Sequence, residues 1–177
     1  ALFWGLIIAE FVLVFAISGA INKMSITVAT LLFVLYSVIN GATLSVIFIA
    51  YTAESITNVF FITAATFGAM SLIGYTTKTD LSSMGKYLMM ALIGLIIATI
   101  VNLFMGSSML HMIISYVGVL VFVGLTAYDT QKIKNLMAER DEVNEGSLKL
   151  ALYGSFMLYL DFINIFLSLL RLFGKKN

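Results

Sequence analysis

Three acidic residues stand inside long apolar runs of this sequence: Glu10, Asp129 and Asp161. A charged side chain at the centre of a bilayer costs roughly 2.5 to 3.5 kcal/mol on the insertion scale, so each needs a partner or a task. Asp161 is flanked by residues 150–160 and 162–170 with no other formal charge, which directs it toward the interior of a helix bundle. Asp129 lies three residues before Lys132. That spacing leaves two readings, an interfacial carboxylate paired with a local lysine and one member of a buried acidic pair. Two carboxylates sharing a poorly hydrated site cannot both ionise easily, so a pair of them is a proton-sensitive switch. The same oxygens can coordinate a hard cation such as Ca²⁺, which makes Asp129 and Asp161 the candidate metal ligands. A purely structural pair of protonated, hydrogen-bonded side chains is the competing account. Glu10 is open between a third oxygen ligand, a proton-relay member and a hydrogen bond to a neighbouring helix.

The elements that must position these groups follow from where charge is absent. Of 177 residues, 61% are hydrophobic and 11% charged, outside the range of soluble domains. A bilayer-crossing helix needs about 20 mainly apolar residues. Six spans meet that requirement, at about 1–21, 26–51, 56–76, 84–104, 109–135 and 149–173, in one transmembrane domain covering 1–177. The uncharged stretch between Lys86 and Asp129 is too long for one span and is divided at Gly106, Ser107 and Ser108. Runs this long, rich in Leu, Ala and Met, lack the period-two alternation of a membrane barrel, so the fold class is all-α. With no proline the helices are expected to be mostly continuous. The fifth and sixth spans are antiparallel neighbours around the polar run 138–146. Counted from Glu145, Asp129 stands 16 residues before and Asp161 16 residues after, at similar height in the bundle.

The remaining composition narrows the function. A net charge of +1 gives no basic surface for nucleic acid, no cysteine is available for thiolate or disulfide chemistry, and one histidine excludes a multi-histidine metal centre. Lys23, Lys78, Lys86, Lys132, Lys134, Arg140 and Lys149 flank the odd-numbered connectors, and the even-numbered connectors carry no lysine or arginine. The odd connectors are therefore expected in the cytoplasm, despite Arg171, Lys175 and Lys176 at the other end. Asn40, Asn102 and Asn164 read as interhelical glue, His111 as interfacial, and Ala64 with Gly68 and Gly94 with Ala98 as close-packing pairs.

Four segments carry a family resemblance: FGAMSLIGYTTKTDL at 67–81, GLTAYDTQKIK at 124–134, YLDFINIF at 159–166 and NGATLS at 40–45, with Glu10 in addition. Through them nearly the whole chain resembles the Bax inhibitor-1, or transmembrane Bax inhibitor motif, family, and most its bacterial branch. The resemblance implies a seven-helix bundle with the last helix central, of which this chain holds six and lacks the first. Ala1 accordingly begins abruptly inside an apolar run without a signal peptide's charged start. It also implies a pH-sensitive calcium leak of the bacterial inner membrane, with no enzyme activity and no bound cofactor, gated by a di-aspartyl pair that falls on Asp129 and Asp161. In some members an arginine at the end of the helix carrying the Glu10 equivalent latches that pair. Here Ile21, Asn22 and Lys23 occupy the region, so Lys23 is the candidate latch cation, a point charge without the bidentate fork.

Two further readings compete. A membrane regulator without intrinsic transport would bind a membrane protease or another membrane protein, as some relatives do. An intramembrane aspartyl protease would also place two aspartates on adjacent helices, and Tyr128-Asp129 matches half of its pattern. The other half fails, because Asp161 follows Tyr159 and Leu160 where such enzymes carry Gly-x-Gly, and a chain without proline has no Pro-Ala-Leu element. Lipid, Ca²⁺ and H⁺ are the partners of the leak, and no phosphate-binding loop is present to couple it to ATP.

Overall fold

A computed structural model describes the backbone of residues 2–177 and the side chains of Gly5 and residues 9–177; Ala1, where the first span was expected to begin, lies outside the described residues. The protein is all-α. Its helices are α1 (Leu2–Ala20), continued by a 3-10 turn at Ile21–Lys23, then α2 (Ile26–Leu44), α3 (Ile47–Ala50), α4 (Ala53–Thr76), α5 (Ser82–Met105), α6 (Ser108–Ala138) and α7 (Glu145–Phe173). Among the described residues, five helical segments are long and apolar enough to cross a membrane, with α2 and α3 counting as one.

Side-chain caps set the starts of α2, α4, α6 and α7. Thr52, Ser107 and Asn144 each accept a hydrogen bond from a backbone N–H in the first turn of the following helix. Asn144 and Ser147 form a reciprocal capping box, so α7 begins at Glu145, four residues before the expected span. α6 runs three residues past its expected end, and the polar connector shrinks to residues 139–144. The second span is not continuous. It breaks between Leu44 and Ile47, where the Ser45 hydroxyl bonds back to the Ala42 carbonyl at 2.6 Å, so lack of proline did not guarantee an unbroken helix.

The core lies along the last two helices. α6 packs against α4, α5 and α7, and α7 packs against α2, α4 and α6. One apolar cluster joins Val59 of α4 to Ile165, Leu169 and Leu170 of α7; a second joins Leu95 of α5 to Ile114, Val121 and Leu125 of α6. A third holds Ile17, Tyr36 and Phe156, with Phe33 and Tyr159 closing edge-to-face aromatic contacts around them. α5 fully buries only Gly85 and Leu95, packs Leu88, Ala91, Leu92 and Ala98 half-buried against α6, and turns its opposite face outward, as a peripheral helix in lipid does.

Candidate functional site

On α6 the buried residues Ile114, Gly118, Val121, Leu125 and Asp129 recur at three- and four-residue intervals, one stripe of the helix. On α7, Ser147, Gly154, Asp161 and Ser168 are buried at every seventh position, the repeat of a left-handed helix pair. Gly154 faces Ile133 and Gly118 faces Ser168. These contacts fix the register of the seam, and the aspartates lie between them. Asp129 is 3% and Asp161 4% exposed, and their carboxyl groups are within hydrogen-bonding reach of each other. The second oxygen of Asp161 is buried without a partner in the protein.

Among the described residues no cation forms an ion pair with either carboxylate, although the charge of Lys132 acts on Asp129. Among the described residues the one ion pair is Lys149 with Glu145, at 3.4 Å on the exposed start of α7. The Lys132 ammonium stands 5.9 Å over the Tyr128 ring instead. Lys23, at the end of the 3-10 turn, is exposed and makes no ion pair among the described residues. Glu10 is half-buried on α1, with one oxygen fully covered and unpartnered. It borders a cleft of about 310 Å³ together with Asn40, Thr43, Tyr51 and Arg171. No three acidic or histidine side chains gather into a metal cluster among the described residues, so Glu10 stands apart from the aspartates.

The supporting polar groups differ from expectation. Asn40 does link helices, donating to the Tyr159 hydroxyl at 2.7 Å. Asn164 instead bonds the Leu160 carbonyl of its own helix, and Asn102 accepts from Ser107 N–H at the end of α5. Both amides are spent locally, which spacing along one helix cannot reveal. Gly68 and Gly94 face open space. The close approach is at Gly74, where a Cβ would collide with the Ala127 carbonyl two residues before Asp129. Gln131, unassigned from sequence, is buried and clasps the α4–α5 connector: its amide donates to Thr79 O at 2.8 Å and its oxygen accepts from Leu81 N at 2.9 Å. Lys134 donates to Tyr75 O at 2.6 Å. The segments 67–81 and 124–134 are thus one structural unit.

Comparison with known proteins places this geometry in context. The family model described as inhibitor of apoptosis-promoting Bax1 matches residues 1–177. The chain is 54% identical over 174 residues to the inner membrane protein YbhL of Escherichia coli K12, covering 98% of this chain and 74% of that protein. It is 52% identical to an uncharacterized protein of Borreliella burgdorferi, over 99% of this chain and 75% of the relative. A Deinococcus radiodurans protein is 44% identical over 97% of this chain and 74% of its own length.

Proposed function

The chain belongs to the Bax inhibitor-1 family, and from that membership and the paired aspartates we propose that it is a pH-sensitive calcium leak. The observation that carries the reading is two buried carboxylates, from different helices, within reach of each other and in no ion pair among the described residues. At low pH a proton held between Asp129 and Asp161 joins α6 to α7. Once it is lost, two like charges in a low-dielectric seam repel and favour separation. Calcium is cargo here. Two carboxylates supply at most four of the six to eight oxygens that Ca²⁺ takes, so carbonyls and water complete a transient shell. Such a shell suits passage better than storage.

The membrane is the bacterial inner membrane, by analogy with YbhL, and the lysine-rich end faces the cytoplasm. Purified protein in sealed liposomes should pass Ca²⁺ down its gradient without ATP, more slowly in acid than at neutral pH. Because a regulator would need its partner, flux from the protein alone separates the two readings. Folded protein that passes no more Ca²⁺ than empty liposomes at any pH would reject the leak.

A further inference from the structure

The lysine-rich end of the bundle holds a second polar site. Between the end of α4 and the extension of α6 lies an open cleft of about 500 Å³ lined by Thr76, Lys78, Asp80, Gln131, Lys134 and Asn135. Its floor is rigid, because Gln131 and Lys134 are hydrogen-bonded to the connector and to α4. Lys78 is exposed and makes no ion pair among the described residues, so its ammonium is free for a ligand. Lys134 directs one proton to Tyr75 O and keeps two. The one acidic side chain, Asp80, accepts from Ser82 N–H at 2.9 Å at the start of α5. The cleft is therefore cationic, lined with amide and hydroxyl groups, and suited to phosphate oxygens.

One helical turn above Thr76, Leu72 and Ile73 are 64% and 52% exposed on α4, and at that spacing they continue the same face away from the cleft. Tyr75, at 60% exposed, stands at the boundary where amphipathic rings settle at headgroup level. We propose that this cleft binds the phosphate headgroup of an anionic phospholipid, whose acyl chains lie along the apolar face of α4. A free phosphate would use the same cations but not the face bearing Leu72 and Ile73.

The test titrates dioctanoyl phosphatidylglycerol into the intact protein in neutral detergent, with bound lipid counted by native mass spectrometry. Lys78→Gln, which removes no internal bond, should weaken binding about five-fold, the effect of one basic residue near a headgroup. Asp80→Asn keeps the oxygen that accepts from Ser82 N–H but removes the opposing charge, so it should tighten binding. Lys175→Gln, at the opposite end, should change nothing. Inorganic phosphate at the same concentration should leave the lipid bound. Unaltered affinity in both Lys78→Gln and Asp80→Asn overturns the site, and equal displacement by inorganic phosphate overturns the lipid as its occupant.

Discussion

At the scale of single residues, the aspartate pair makes the sharpest demand. If Asp129 and Asp161 share one titration, either asparagine variant should abolish the pH dependence of calcium flux, and the double variant should add little. Flux measured in liposomes across pH checks this; single variants that keep the wild-type profile, or effects that simply add, would make the carboxylates independent. Glu10 is a separate question, because it borders a different cleft. Glu10→Gln keeps its size and hydrogen bonding but removes its charge. It should lower apparent Ca²⁺ affinity while leaving thermal unfolding unchanged if the acid meets the ion on its way, and an unaltered calcium dependence would leave it a packing role. Asp80, outside the spans, has a simpler role. Hydrogen bonds from the Ser82 side chain and backbone hold its carboxyl below the usual carboxylate range. Its hydrogen bond to Ser82 at the start of α5 thus holds at pH values above the ordinary carboxylate range and fades only as pH falls through that lowered value.

Among the elements, α4 and α6 approach at a point with no room for a methyl group. Gly74→Ala would drive a Cβ into the Ala127 carbonyl and should lower stability by about 1 to 3 kcal/mol, the usual cost of overpacking. Gly68→Ala, on the same helix but facing open space, should be neutral or mildly stabilising, and thermal unfolding in detergent separates the two. This contrast also marks how far the sequence was legible. Hydropathy and charge located the long apolar stretches, five of which among the described residues are helices long and apolar enough to cross a membrane, because lipid imposes a length and excludes charge. Small-residue spacing did not reveal which glycines are contacts, since Gly68 completes the packing pattern with a half-buried Ala64 yet faces open space. The better signal was present and of another kind: Ser147, Gly154, Asp161 and Ser168 at intervals of seven are small or polar residues on one face of an otherwise apolar helix. Gln131 could not be read as a clasp, because its partners are backbone atoms some fifty residues away. The two aspartates were visible as misplaced charge, and the symmetric count across the connector put them level. It did so although the helices begin and end elsewhere than expected, because the register is set by contacts along the seam.

For the whole molecule, the seam between α6 and α7 is the boundary at which a gate would open. α7 is tied at both ends: Glu145 accepts from Ile26 N–H at the start of α2, and the tail beyond α7 bonds the connector before α4, Thr52 N–H to Lys175 O and Asn177 N–H to Ala50 O. α6 is instead clasped to the α4–α5 connector by Gln131 and to the end of α4 by Lys134. For the leak proposed above, opening would amount to α6 and its clasped connector shifting against a fixed α7, with the aspartates as the proton-dependent catch. Such a shift can be arrested covalently. A Cβ at Gly118 would lie 3.8 Å from the Ser168 Cβ, within the ~3.5 to 4.5 Å that a disulfide spans. The chain has no cysteine of its own, so the pair Gly118→Cys with Ser168→Cys should cross-link cleanly on oxidation. The oxidised protein should carry little Ca²⁺ at pH values where the reduced protein conducts, and a reductant should restore flux in the same liposomes. Fully cross-linked protein that conducts as the reduced form does would place the gate away from this seam, even if the aspartates still titrate together.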